Sequence, residues 1–310
     1  MSSRIILLVG LMILLAVSIA PVFGQTTPTA TPAPTWDGQR RFTVLVLGMD
    51  RRPGARDTLN VRTDAILLVS LDPATQSIGI LHLPRDLRMT TPYCSDYFKI
   101  NTLLVEGESL QEGYGPYYAI DTFQYNLGMY IDGYIAFDFA AFVTIIDALG
   151  GVEIDVPYAI RDDLYPDMDY GYDPVFITPG LQRMDGYTAL QYARTRHGDN
   201  DIDRGYRQMQ VMLAIQQRIT EANLLPSLLQ QAPVLWTSLQ SNLYTDLTLP
   251  TLLQLGQYAI ATPAANIHIA SVEEEYSLYY PIPDGTMVSV LNHARLPELL
   301  TEVFGADYSR

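Results

Sequence analysis

Phe42-Thr-Val-Leu-Val-Leu47, running at once into Gly48-Met-Asp50, is the stretch that decides the fold. Six residues without a charge, half of them β-branched, read as a buried strand, and the glycine and aspartate after them as the loop it feeds. Two similar runs follow at residues 65–71 and 77–83, with Asp72-Pro73 marking the turn between them. A connection that short joins antiparallel neighbours. Further strands are expected at residues 133–137, 152–156 and 267–272. Helical periodicity falls at 117–127, at 139–149 with Gly150-Gly151 as its stop, and at 184–194. Residues 204–222 read as the strongest helix, with Gln208, Val211, Met212, Ile215 and Ile219 on one face. Residues 224–258 read as largely helical, broken at Pro226, Pro233 and Pro250. A closing helix spans 297–304, its proline at the first position, where a missing N–H is harmless. Hairpin and crossover links together predict an α/β fold: a mixed central sheet with helices packed on both sides, an α-β-α sandwich.

The chain has 310 residues, 48 % of them hydrophobic, enough to bury a full core. Its net charge of -15 excludes the basic stripe of a general nucleic-acid binder. The single cysteine, Cys94, rules out an internal disulfide and a cysteine-cluster metal site. The four histidines (His82, His197, His268, His293) include no pair at helical ligand spacing, against a histidine-bound zinc. Arg4 followed by an apolar run at residues 5–20 is the pattern of a secretory signal, with Val22 and Gly24 suited to a cut near Gln25. The run is also nearly long enough to stay as a membrane anchor. Either reading exports the rest. Residues 1–24 are thus a signal or anchor, and 25–40 a Pro/Thr-rich spacer without a core. Residues 41–310 are expected to form the globular domain, with its core in 42–220 and a looser part at 221–310.

Arginine placement is the main chemical signal. Of 19 basic residues one, Lys99, is a lysine. Arg194, Arg196, Arg204 and Arg207 crowd into fourteen residues, together with Asp201, Asp203 and Gln208. Guanidinium groups repel, and their rigid forks match phosphate oxygens two at a time, so an anionic ligand accounts for the cluster. A helix starting near Arg204 would put Arg204, Arg207 and Gln208 on one exposed face, with Asp203 or Asp201 at its N-cap. A second group (Arg51, Arg52, Arg56, Arg62, Arg85, Arg88) is interleaved with Asp50, Asp57, Asp64 and Asp86. Asp50 and Asp64, at strand ends, would share Mg²⁺, which binds phosphates through one or two carboxylates plus water. Taken singly, either aspartate is better explained by pairing with a neighbouring arginine, and the set by the metal. No P-loop is present, and Gly107-Glu-Ser109-Leu-Gln111 misses the nucleophile-elbow pattern.

In order along the chain stand Asp50, Arg62-Thr-Asp64, Pro84-Arg85-Asp86, Lys99-Ile-Asn101, Ile131-Asp-Gly-Tyr134 and Asp147-Ala-Leu-Gly150-Gly151-Val152. Gly180-Leu-Gln182-Arg-Met-Asp185-Gly186, Ala189-Leu-Gln-Tyr-Ala-Arg194-Thr-Arg196, Asp201-x-x-Arg204 and Arg207-Gln208 follow. This ordered set resembles the LytR-CpsA-Psr (LCP) family of cell-envelope enzymes over about residues 42–220. The resemblance implies an exported, usually membrane-anchored phosphotransferase. Such an enzyme moves a glycopolymer from a polyprenyl-pyrophosphate carrier to a peptidoglycan hydroxyl. By resemblance Asp50 and Asp64 are the Mg²⁺-associated aspartates. Arg62, Arg85, Arg194, Arg196 and Arg204 surround the pyrophosphate, with Asp201 and Gln208 at the same site; Lys99 and Arg207 lie within the motifs. Asp201, Arg85 and Arg204 are the candidate catalytic residues, Asp201 as the group that takes the acceptor proton. The family's apolar tunnel for the lipid would be lined by helices such as 139–149 and 211–219, although an ordinary core gives the same pattern. His82-Leu-Pro-Arg85 departs from the commoner Ser-Ile-Pro-Arg. Two other readings use the same residues: a polyprenyl-pyrophosphate phosphatase, and a non-catalytic module that holds polyprenyl phosphate.

Overall fold

The structure is a computed structural model that describes residues 36–51, 59–167, 171–195, 201–221, 224, 231, 234–235, 237–282 and 285–309. The apolar run at 5–20 lies outside them. Among the described residues no helix is long and apolar enough to cross a membrane.

The opening strand, β1 (Phe42–Met49), lies at the centre of a six-stranded sheet. It pairs antiparallel with β2 (Thr63–Asp72), which pairs antiparallel with β3 (Ser77–His82). On its other side it runs parallel to β6 (Gly133–Phe137). The sheet is closed at its two edges by β11 (Leu243–Thr245), antiparallel to β6, and β12 (Ile267–Ser271), parallel to β3. Parallel and antiparallel pairs coexist, as the mixed links predict. The uncharged β1 is buried on both faces: Phe42, Val44 and Val46 enter one core, and Leu45, Leu47 and Met49 the other. Removing each such side chain from water contributes roughly 1.5–3 kcal/mol. Thr43, the one polar residue among them, meets Ser70 across the ladder through a 3.0 Å hydroxyl contact.

One face carries α3 (Phe139–Ala148), α4 (Gly186–Arg194), α5 (Asp201–Glu221) and α6 (Leu249–Ala261). The opposite face carries α1 (Leu103–Leu110), α2 (Gly115–Leu127) and α7 (Leu296–Phe304). The α-β-α sandwich is therefore present. The helix stop at Gly150-Gly151 is also present, because both residues adopt a positive φ (71° and 89°) that side chains disfavour. Val211, Ile215 and Ile219 of α5 are buried as one stripe.

Several elements differ from the sequence expectation, each for a local reason. Helix α4 begins at Gly186 rather than 184, because the Asp185 carboxylate accepts from Thr188 N at 2.8 Å and caps it. Met184 instead ends β10 (Gly180–Met184), which pairs with β7 (Val152–Val156). Within 224–258 the described residues 231, 234–235 and 237–239 are helical as expected, but β11 follows them, and Pro250 lies in the first turn of α6 rather than breaking a helix. Short strands escaped the reading altogether: β4 (Arg88–Thr91), β5 (Cys94–Lys99), β8 (Ile160–Asp162), β9 (Val175–Ile177), β13 (Ser277–Pro281) and β14 (Met287–Leu291). Three to six residues hold too few periods to register. They pair mostly with their neighbours in sequence (β4 with β5, β8 with β9, β13 with β14), while the pairing of β14 with β4 joins distant segments.

Candidate active site

The sheet topology brings the front motifs to one rim. Because β1, β3 and β6 run the same way and β2 runs against them, the ends of the first three meet the beginning of β2. Asp50, Asp64, His82 and Asp138 stand at those four positions. Asp50 N donates to Arg62 O at 2.8 Å, which holds the two loops together and leaves Arg62 exposed on the rim. Gly48 faces Ala65 but Met49 faces Thr63, so Asp64 is the extra residue of a β-bulge. A bulge turns a side chain away from the alternation a regular strand imposes. Here Asp64 and its neighbour Ala65 line the same cavity.

Each acidic residue has an arginine. Arg85 Nη1 lies 2.6 Å from Asp64 Oδ1, and Arg194 Nη2 lies 3.6 Å from Asp50 Oδ1. The Arg85 pair extends to the surface, where Arg85 Nε is 3.5 Å from Asp86 and Lys99 Nζ is 2.7 Å from the same carboxylate. Arg194, the last residue of α4, is held by more than charge. Its guanidinium stands 3.9 Å from the centre of the Phe139 ring and 5.4 Å from that of Tyr165, and its Nη1 donates to Tyr165 Oη at 3.0 Å. Such contacts fix the plane of the fork as well as its position.

Helix α5 delivers the remaining motif residues, and here two expectations are corrected. The helix starts at Asp201, so Asp201 and Asp203 lie within its first turn rather than at its N-cap. Arg204 and Arg207 are not on an exposed face; they are 5 % and 2 % exposed. Arg207 Nε donates to Tyr192 O at 2.9 Å and Nη2 to Thr195 O at 2.5 Å, so this side chain ties α5 to the end of α4. That contact makes Arg207 a structural brace. Gln208 is half-buried, with Nε2 3.5 Å from Ala193 O, and lines the cavity. Arg196, Arg52, Arg56 and Asp57 lie outside the described residues, as do the side chains of Asp201 and Asp203. Two arginines of the front group are engaged elsewhere. Arg51 is buried against Asp138 (3.1 Å) and Ser241 O (2.8 Å), and Arg88 Nη1 donates to Tyr97 O at 3.0 Å.

Behind the charged rim lies an apolar cavity of about 110 Å³, several times what one water needs. Val46 and Leu67 of the sheet, Phe139 and Phe142 of α3, Leu190 of α4 and Val211 of α5 line it, with Asp64, Arg194 and Gln208 among its polar walls. Both helices expected to border a lipid tunnel therefore do line a cavity. Sequence reasoning missed four contributors. Asp138 caps α3, accepting from Ala141 N at 3.0 Å, and also holds Arg51; a cap signal before Phe139 was available. His82 lines the cavity with Nδ1 2.9 Å from Ser271 Oγ. Burial, helped by the positive charge of Arg204, lowers its pKa to about 4, so it stays neutral near pH 7. Phe139 and Tyr165 clamp Arg194, and nothing in their sequence positions announces that.

The profile of the LytR_cpsA_psr family matches residues 22–304. The chain belongs to this family. Among LytR_cpsA_psr relatives it is 29 % identical to the Bacillus subtilis polyisoprenyl-teichoic acid–peptidoglycan teichoic acid transferase TagV, over 60 % of this chain and 45 % of TagV. It is 31 % identical to the transferase TagU of Oceanobacillus iheyensis, over 68 % of this chain and 61 % of TagU. These matches thus span about half to three-fifths of each relative's length. The fold agrees with that of crystalline B. subtilis TagV (TM-score 0.65, 23 % identity, 88 % of this chain and 99 % of that one). A structure described as TagT bound to LI-WTA superposes with TM-score 0.62 at 26 % identity, covering 86 % of this chain and 90 % of that one.

Proposed function

We propose that this LytR_cpsA_psr protein is an Mg²⁺-dependent transferase acting outside the cytoplasm. It would move a glycopolymer from a polyprenyl-pyrophosphate carrier to a peptidoglycan hydroxyl. One observation carries this reading: an arginine-rich rim opens directly onto an apolar cavity, and Asp64, Arg194 and Gln208 belong to both. That arrangement suits an anionic headgroup with a hydrocarbon tail. The transferase names of TagV and TagU point the same way.

Arg62, Arg85, Arg194 and Arg204 would bind the pyrophosphate, Arg85 exchanging Asp64 for a phosphate oxygen and Arg194 exchanging Asp50. Asp50, just past the end of β1, and Asp64, at the bulge of β2, offer hard, partly exposed oxygen donors, which fits Mg²⁺ completed by water and phosphate. The cation would add charge neutralisation at the phosphates. The acceptor oxygen forms a bond to the polymer-bearing phosphorus, the bridging P–O bond breaks, and polyprenyl phosphate leaves. Asp201 is the candidate to take the acceptor proton. Fixed charges that meet the developing charge perform most of such a reaction.

The test supplies purified protein with a polyprenyl-pyrophosphate-linked glycopolymer, peptidoglycan and Mg²⁺. The expected products are polymer-bearing peptidoglycan and polyprenyl phosphate, with turnover abolished by EDTA and an unchanged melting temperature. Polymer phosphate released into water without attachment identifies a phosphatase, and donor binding without either product identifies the non-catalytic module.

A further inference from the structure

Two arginines that the transfer reading does not use stand at the far end of α3. Arg183, on β10, donates to Gly150 O from Nε at 2.8 Å and from Nη2 as well. Arg218, on α5, donates from Nε to Leu149 O at 3.0 Å. Both therefore cap the last carbonyls of α3, a usual place for a cation. They also converge on one glycine. A Cβ on Gly150 would lie 3.2 Å from Arg183 Nη2 and 3.6 Å from Arg218 Nη2. The two nitrogens are thus at most ~7 Å apart, a gap that one tetrahedral oxyanion bridges with N–H···O bonds of ordinary length. Gly150, with φ at 71° and no Cβ, leaves the space between the two forks open.

Charge argues for more than capping. A helix C-terminus carries about half a negative charge, and two guanidiniums bring two positive ones, so cation is left over. The nearby carboxylates do not take it. Glu153 stands directly across the β7–β10 ladder from Arg183. Asp147 Oδ1 accepts from Gly186 N at 2.7 Å, and Asp185 Oδ1 from Thr188 N at 2.8 Å. Among the described residues neither Arg183 nor Arg218 forms an ion pair, and Arg183 Nη1 and both Nη groups of Arg218 donate to no protein atom. Guanidinium forks match phosphate oxygens two at a time. Two forks side by side outnumber the acceptors of a carboxylate, whereas a phosphate with at most one ester offers three oxygens. We propose that Arg183 and Arg218 form a second oxyanion site, for free phosphate or a phosphate monoester. The ten residues of α3 place it ~15 Å along the helix from Asp138, apart from the arginine rim. The net charge of -15 repels anions from afar, but salt screens that field beyond about 8–10 Å, so the local pair decides. The proposal goes beyond the transfer reading, and its test contains no donor, so either can fail alone.

The full chain is titrated at constant ionic strength with inorganic phosphate, glycerol 3-phosphate and acetate in turn, and the Gly150 and Gly151 amide signals are followed by NMR. We expect inorganic phosphate to move both signals saturably. Arg183→Gln and Arg218→Gln should each weaken that response at least tenfold, and Arg85→Lys should leave it unchanged. A like response to glycerol 3-phosphate assigns the site to monoesters, and a response to inorganic phosphate alone assigns it to the free ion. If Arg218→Gln fails to fold, Arg183→Gln decides, because that side chain is exposed. An equal response to acetate would show an adventitious ion only and overturn the proposal. So would no saturable response in the wild type, an undiminished response in Arg183→Gln, or its loss in Arg85→Lys.

Discussion

Arginines of the charged motifs do different jobs, and burial separates them. Arg85 is partly exposed and pairs with Asp64, whereas Arg207 is fully buried on two backbone carbonyls. Hydrogen bonds to a charged group contribute about 1.5–3 kcal/mol each. Arg207→Ala should therefore lower unfolding stability by about 3 kcal/mol or more, read from urea denaturation. Arg85→Lys keeps a positive charge beside Asp64 and should cost less stability than Arg207→Ala. It should nevertheless slow transfer by about ten- to a hundred-fold through loss of the fork, at about 1.4 kcal/mol per decade. Equal stability losses in the two proteins would refute this division. The sequence showed that arginines cluster here for an anion; it placed Arg207 among the ligands because one helix face carries both it and Arg204. Both are buried, and what Arg207 binds depends on the end of α4, which the local sequence does not encode.

Helix α5 shows how an element combines a core stripe with a functional end. Val211, Ile215 and Ile219 bury its later turns, and its first turns border the cavity at Gly205 and Gln208. A Cβ built on Gly205 would meet His82 Cε1 at 3.9 Å, an ordinary contact. Glycine within a helix costs up to about 1 kcal/mol relative to alanine. Gly205→Ala should accordingly raise the unfolding free energy by about 0.5–1 kcal/mol. The larger Gly205→Leu should fold and yet bind a polyprenyl-pyrophosphate donor more weakly, because its side chain enters the cavity. Donor affinity unaffected by Gly205→Leu would place the lipid elsewhere. The stripe of α5 was plain from its period. Its start was not, because an aspartate can cap a helix or ride in its first turn, and both choices suit the helix dipole.

Two titrating groups far apart in the sequence oppose each other in the stability of the whole molecule. His82 falls to about 4 from 6.5, chiefly through burial. The unfolded chain takes up that proton first, so this contribution is present above pH 6.5 and lost as pH falls toward 4. Asp246 rises to about 6 from 3.8, again chiefly through burial, with Oδ1 accepting from Tyr134 N at 3.0 Å. Its neutral form is favoured in the fold, so that contribution is present below pH 3.8 and lost as pH rises toward 6. Each spans up to about 3 kcal/mol, and between pH 4 and 6 they act in opposite directions. Relative to wild type, His82→Gln should tilt the stability profile toward loss with rising pH, and Asp246→Asn toward gain. Parallel profiles for all three proteins in urea denaturation between pH 4 and 7 would contradict both assignments.

The sequence by itself determined the sandwich, the central strand, most long helices and the identity of the charged motifs. Those features follow from periodicity and side-chain charge, which are local properties. Tertiary structure decided what depends on distant neighbours. The bulge that aims Asp64 into the cavity arises where β2 meets β1. The clamp of Phe139 and Tyr165 on Arg194 joins three separate segments. Tyr93 stacks on Tyr118 because the turn between β4 and β5 folds over α2. Local sequence fixes which side chains a segment carries and how often they face one way. The assembled sheet fixes which of them meet, because burial and pairing are settled between segments far apart in the chain.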